Sequence, residues 1–185
     1  MAMTNVFTGA NGTLTLADES TPAGVDAKAV MDVYELRTVG RVTQVQVRVS
    51  TELEQFYEIG RRHPTSLHPG AVSISGTVGR AYVNGALLFL LLGRGASATQ
   101  VAEPYVLPAF SMSLTHLDPA VPGSVAAMEL RGVMFDAWSY AMPEADFVME
   151  NLSFRALTIS VVDKEAPAAG GDPVAKNPAF PTGAA

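Results

Sequence analysis

Cysteine is absent from the 185-residue chain, which removes disulfide scaffolds, thiolate metal sites and cysteine nucleophiles from consideration together. Charge is scarce as well. Asp, Glu, Lys and Arg make up 16% of the residues, against about 25% in an average domain, so the composition points towards assembly with partners. No Lys/Arg run occurs, and 12 basic against 18 acidic residues give a formal charge of −6. Such a chain is not built to grip phosphate backbones, whose affinity comes from neutralising them with cations. Long apolar runs are also missing. The longest, Ala86 to Leu92, falls far short of the roughly 18 residues needed to span a bilayer, and Met1-Ala2-Met3-Thr4-Asn5 has neither the positive patch nor the apolar core of a signal peptide. These features predict one soluble domain made in a cytoplasm, with no membrane insertion.

What is present is turn-rich and apolar: 16 Gly, 12 Pro and 48% hydrophobic residues. Two ends differ from the middle. Residues 1–10 are polar and read as an N-terminal arm, and 163–185 form a Pro/Ala/Gly-rich C-terminal arm in which Pro167, Pro173, Pro178 and Pro181 allow neither a helix nor a central strand to persist. The domain between them, 11–162, is dominated by a period of two. Val45, Val47 and Val49 alternate with Gln44, Gln46, Arg48 and Ser50 within Arg41 to Ser50, as in a strand with one dry and one wet face. Val72, Ile74 and Val78 alternate in the same way with Ser73, Ser75 and Thr77. Shorter strands are predicted at Asn11 to Ala17, Phe110 to His116, Met128 to Asp136 and Leu152 to Val162. Val83, Leu87, Leu88, Leu91 and Leu92 fall instead at helical spacing, with Asn84 as cap and Gly93 as stop. A helix this apolar is expected to plug the open side of a curled antiparallel sheet, giving a mainly β fold with one short flanking helix. Ala17 to Leu36 reads as a long surface loop with a short helix around Ala27 to Glu35. Thr51 to Gly70 is a second excursion, with Glu52, Glu54 and Glu58 in its first half and Arg61, Arg62, His63 and His68 in its second.

The residue types that carry chemistry do not converge. His63 and His68 stand five apart in a Pro-rich loop and would need distant His116 or added carboxylates to hold a metal. Gly93-Arg94-Gly95-Ala96-Ser97 lacks the Lys of a phosphate cradle and follows a helix, so it reads as a terminator. No Gly-x-Ser-x-Gly occurs, and Ser75-Gly76 lies in a strand pattern without the sharp turn that presents a nucleophile. Glu144 and Asp146 beside Pro143 read as a solvated turn, and Trp138 and Tyr140 share one strand face, on the core or a neighbouring subunit. Neither catalysis, a metal nor a cofactor is expected.

One linear pattern is familiar. Tyr57-Glu58-Ile59-Gly60-Arg61-Arg62-His63-Pro64, then Pro69-Gly70, Val72-Ser73-Ile74-Ser75-Gly76-Thr77 and Arg80-Ala81-Tyr82-Val83-Asn84-Gly85-Ala86-Leu87-Leu88, resembles tail tube proteins of tailed bacteriophages. A second stretch resembles the last strands of that family: Leu130-Arg131-Gly132-Val133-Met134-Phe135-Asp136, Asp146-Phe147-Val148-Met149-Glu150-Asn151 and Phe154-Arg155-Ala156-Leu157. In order, these segments lie between Tyr57 and Leu157, a span of roughly half of the chain. The Leu-rich helix, the long proline-rich tail and the low charge of the tentative lumen strands depart from the pattern.

The resemblance implies an antiparallel β-sandwich or curled barrel with one flanking helix. It implies hexameric rings whose inner sheets fuse into one continuous β-barrel, stacked into a tube that holds the tape-measure protein and lets DNA pass without specific binding. Extracellular injection particles and type VI secretion systems have related tubes. The subunit would be a virion tail component, synthesised in the bacterial host cytoplasm, with a sheath outside it if the tail is contractile. Gln44, Gln46, Arg48, Ser73, Ser75 and Thr77 would line the lumen, although an ordinary solvated strand face has the same alternation. Glu52, Leu53, Glu54, Phe56, Tyr57, Glu58, Arg61 and Arg62 would form inter-ring contacts. Six copies carry 6 × (−6) = −36 formal charges, which would repel a DNA backbone. The competing reading is a monomeric β-barrel that binds a small ligand.

Overall fold

The computed structural model describes residue 7, residues 9–96, 106–117, 123–165 and 174–175, and residue 178. Most of the two predicted arms, and Ser97 of the glycine turn, lie outside them. After a 3-10 turn at Gly9–Asn11, the elements run β1 (Gly12–Asp18), α1 (Pro22–Tyr34), β2 (Val42–Phe56), β3 (Ser66–Ala81), α2 (Ala86–Leu92), a second 3-10 turn (Gly93–Ala96), β4 (Phe110–Leu117), β5 (Val125–Ala141), β6 (Met149–Ala156), β7 (Thr158–Glu165) and β8 (Val174–Ala175). The predicted mainly β, curled antiparallel architecture is what the chain adopts.

The eight strands form two layers joined through β5. Its first half pairs with β4 on one side and β7 on the other, so that β1, β4, β5, β7 and β8 make the first layer. Its second half, from Met134, pairs with β6, giving the second layer in the order β2-β3-β6-β5. The change of layer occurs at Gly132, whose φ of +62° suits glycine and where a Cβ would lie 2.5 Å from Leu157. Its amide donates to Glu19 Oε1 at 2.7 Å, and the Ser111 hydroxyl donates to the same oxygen at 2.8 Å. The sequence pattern suggests a single strand from Leu152 to Val162, but the chain crosses layers within it. Leu157, across from Gly132 and bonded through its amide to the Arg131 carbonyl, separates β6 from β7.

The apolar sides of the two layers meet in a core that includes Leu14, Leu16, Val78, Phe110, Met112, Leu130, Phe135 and Phe154. Two helices flank it. α1 is a 13-residue helix where a surface loop with a short helix was predicted. Thr21 accepts the Gly24 amide at 3.1 Å as N-cap and Pro22 occupies the first turn, so the Pro and Gly that suggest a loop open a helix instead. Gly24, Ala27 and Met31 are buried. The helix ends at Glu35, which takes a left-handed conformation at φ 49°. α2 begins later than the periodicity suggests, at Ala86, leaving Val83 exposed. The N-cap residue is Gly85, not the expected Asn84, although Asn84 Oδ1 accepts the Ala86 amide at 3.3 Å, and Gly93 terminates the helix as expected, with φ 55°. Tyr34 and Phe89 pack the two helices together at 5.8 Å between ring centroids. Arg94 clamps them with a bidentate bond to Asp26, at 2.9 and 3.0 Å. The glycine turn thus serves as a terminator that also ties α2 to α1.

One charged pair sits inside. Arg80 on β3 and Glu150 on β6 are register partners, only 2% and 0% exposed, and the Arg80 Nε donates to Glu150 Oε1. Trp138 Nε1 donates to the other carboxylate oxygen at 2.9 Å, and Arg80 Nη2 reaches the Asn84 carbonyl at 3.3 Å. Every strong polar group in the cluster therefore has a partner, which a buried ion pair requires. Glu150→Ala should lower stability by about 3–5 kcal/mol, because it strands a buried guanidinium, whereas replacing Arg80 and Glu150 together by Met and Leu should cost far less. Urea unfolding at constant m-value measures both, and equal losses in the two variants would contradict this account.

Candidate functional site

The register of the second layer turns the predicted lumen residues into one surface. Gln46 stands opposite Thr77, Arg48 opposite Ser75, and Ser50 opposite Ser73, and directly opposed residues in an antiparallel pair share a face. Gln44, Gln46, Arg48, Ser73, Ser75 and Thr77 are therefore contiguous and at least partly solvated. Their valine and isoleucine neighbours turn the other way, although Val49 and Val72 remain 50% and 62% exposed.

The face continues over two strands that the sequence reading leaves out. Ser153 and Arg155 on β6 stand opposite Thr77 and Ser75, and Asn151 stands opposite Ser139 on β5. Here β5 carries a bulge between Phe135 and Ala137. One extra residue resets the alternation, so Phe135 and Trp138 both face the core, while Asp136 contacts Ser153 and, at 3.2 Å, Arg155. Alternation alone breaks at a bulge, which is why β5 gave no signal for this face. Gly76, between Ser75 and Thr77, turns to the core side and is required there by close packing: a Cβ would lie 2.2 Å from the Gln46 carbonyl oxygen and 2.4 Å from the Phe154 ring. Two cations and one carboxylate lie on this four-strand band. Asp136 and Arg155 neutralise each other, and Arg48 has no ion-pair partner among the described residues.

The predicted inter-ring residues lie on a protruding arm. β6 pairs with β3 only from Ile74 onward, so among the described residues Ser50–Phe56 and the facing part of β3 pair as strands only with each other. At about 3.3 Å per residue this ribbon extends roughly 20 Å beyond the four-stranded sheet. All of residues 51–65 are exposed. Leu53 pairs with Pro69 and Phe56 with Ser66, and their spacing of three puts them on opposite faces of the ribbon. Tyr57 donates its hydroxyl to Gln55 at 2.6 Å, and Arg61 lies 3.9 Å from Glu58. His63 is in the turn at the tip and His68 bonds Ser66 at 3.0 Å; His116 lies in the other layer, near Phe7. Among the described residues no group of three or more His, Cys, Asp or Glu converges.

The second layer also has two strand edges without a partner strand among the described residues. One is the outer edge of β2, and the other is β5 beyond Val133 on the side away from β6. Behind β2, between the layers, an open cleft of about 730 Å³ is lined by residues such as Leu14, Val39, Val45, Val47, Met128 and Ile159.

No protein-family model matches the chain, and no curated protein matches it in sequence. Solved structures do match. A chain of the sheath-tube complex of the extracellular contractile injection system PVC, in its extended state, aligns over 86% of this chain and 93% of its own, with a TM-score of 0.58 at 9% identity. A chain of the tube-terminating cap of the anti-feeding prophage AFP aligns over 87% and 98%, with a TM-score of 0.58 at 10% identity. The tail tube of SPP1 aligns over 84% and 78%, with a TM-score of 0.53 at 9% identity. The curled, mainly antiparallel sheet is thus the tail-tube fold.

The Ser153 hydroxyl holds the Asp136 carboxyl below its ordinary value of 3.8; partial burial opposes the shift and the Arg155 guanidinium reinforces it. A carboxyl depressed in the folded state adds stability above its unfolded pKa and loses it as pH falls through the folded value. Asp136 should stay ionised below pH 3.8 in a carboxyl-carbon NMR titration, and Ser153→Ala should move its midpoint upward. An unchanged midpoint in that variant would remove the serine from the network.

Proposed function

We propose that this protein is the structural subunit of a phage-type tail tube and that its role is conduction rather than catalysis. The carrying observation is the four-stranded sheet, wet on one face, packed on the core at the other and open at both edges. Unpaired edges invite strand addition, and closing a ring removes them. Six copies would contribute 6 × 4 = 24 strands. At about 4.8 Å per strand the circumference is about 115 Å, large enough for a water-filled bore.

The polar face then lines the lumen. Gln44, Gln46, Arg48, Ser73, Ser75 and Thr77 are joined there by Asn151, Ser153 and Arg155. Hydroxyls and amides with little net charge give a moving polymer few fixed partners, which fits a tube that holds a tape-measure protein and passes DNA without binding it. The arm, with Glu52, Leu53, Glu54, Phe56, Tyr57, Glu58, Arg61 and Arg62, makes the inter-ring contact. An isolated two-stranded ribbon is marginal in water, so its exposed apolar residues need a neighbour. Rim charges contribute only about 0–1 kcal/mol each, leaving most of the stacking energy to the apolar side chains. In this reading the protein resides in the virion tail, is synthesised in the bacterial host cytoplasm, and meets a sheath on its outer surface if the tail is contractile.

The cleft behind β2 favours one competing reading, a monomer that binds a small apolar ligand. Size-exclusion chromatography and negative-stain microscopy separate the two: hexameric rings or hollow rods are expected, and a monomer at high concentration would overturn the tube. Phe56→Ala combined with Tyr57→Ala should leave a folded subunit, judged by circular dichroism, that no longer forms rods. Normal rods from that variant would exclude the arm from stacking.

A further inference from the structure

The two ends of the second layer differ in chemistry. One end is the tip of the arm, where Ile59 is fully exposed beside Arg61 and Arg62. The Glu58–Arg61 contact is long and solvated, and Arg62 has no ion pair among the described residues. The other end is the connection from β5 to β6, residues 142–148. The antiparallel register that places Ala81 opposite Met149 and Ile74 opposite Ala156 puts this connection at the far end of the sheet from the tip. Met142 and Phe147 are 72% and 78% exposed there and flank Glu144 and Asp146. Neither acid is in an ion pair among the described residues, and the one bond recorded for them is local, from the Phe147 amide to Asp146 Oδ1 at 2.7 Å. A basic, apolar tip and an acidic, apolar loop thus occupy opposite ends of one rigid sheet.

We propose that the arm tip of one copy seats on the β5–β6 loop of a copy in the next ring, with Arg61 and Arg62 facing Glu144 and Asp146 and Ile59 packing on Met142 and Phe147. This rests on the tube reading and specifies the partner of the arm, a second copy of this chain presenting its opposite end. Such a contact is heterologous and does not close, which is what generates a filament. It also sets polarity. Tip against tip would oppose arginines, and loop against loop would oppose carboxylates, so both inverted stackings are disfavoured by like charge.

Charge reversal tests this, using the full chain and negative-stain measurement of rod length. Arg61→Glu with Arg62→Glu should give rings but at least tenfold fewer rods, and so should Glu144→Lys with Asp146→Lys. The variant with all four changes should recover rods, because the charges again oppose. All the altered side chains are exposed, and circular dichroism checks that each variant is folded. Full-length rods from either double variant, or a four-fold variant that stops at rings, would overturn the proposed pairing while leaving the tube itself intact. A wild-type protein that forms neither rings nor rods would overturn the tube reading and this contact with it.

Discussion

The buried pair of Arg80 and Glu150 is the constraint on which the second layer depends. A guanidinium and a carboxylate removed from water are costly unless every strong hydrogen-bonding group is met. Here the partners come from three strands and the turn into α2: Arg80 from β3, Glu150 from β6, Trp138 from β5 and Asn84 after β3. A slip of one residue between β3 and β6 would turn one of the pair out to the wet face and leave the other alone inside. The register that aligns Gln46, Thr77 and Ser153 across the sheet is therefore held from the opposite side, by a contact that touches none of them. Flat polar faces specify register weakly, and this sheet carries its specification within the core.

Alternation of valine with polar residues made β2 and β3 legible, and with them the six residues of the polar face that those strands supply. It failed wherever the backbone breaks its own period. The bulge at Asp136 shifted the wet face by one residue and concealed the share contributed by β5. The crossing at Leu157 divided what reads as one continuous strand, because apolar residues persist on both sides while the layer they serve changes. α1 is legible only in its later part, around Ala27 to Glu35, for a different reason: Pro22 and Gly24 are loop formers by habit, yet Pro suits a first helical turn, and Gly24 is buried at close quarters, where a Cβ would lie 1.9 Å from the Glu19 carbonyl oxygen. The local signal for the start is Thr21 followed by Pro22, an N-cap residue before a first-turn proline. The pairing of chemistry at the two ends of the sheet was invisible as well, since 80 residues separate the tip from the loop and only the topology opposes them.

The shortage of charge takes on a location in three dimensions. The chain as a whole is acidic, but the four-strand band has a single carboxylate, matched to Arg155, and one arginine to spare. Acids accumulate elsewhere: along α1, on the arm and at the β5–β6 loop. The net charge of the chain is thus a poor guide to the field at this particular face. In the proposed tube, low friction would come from the density of short hydroxyl and amide groups, which offer weak bonds that are replaced readily by water.

The double crossing at Gly132 and Leu157 has a mechanical consequence. Two stacked sheets ordinarily slide against one another by repacking side chains, which yields under modest force. In this chain β5 passes through one gap from layer to layer, and the β6–β7 segment passes back beside it, with Glu19 bonded across the corner. Shear between the layers is therefore resisted by covalent backbone at two adjacent points rather than by van der Waals contact alone. A load applied along one sheet would therefore be passed to the other through the backbone at Gly132 and Leu157.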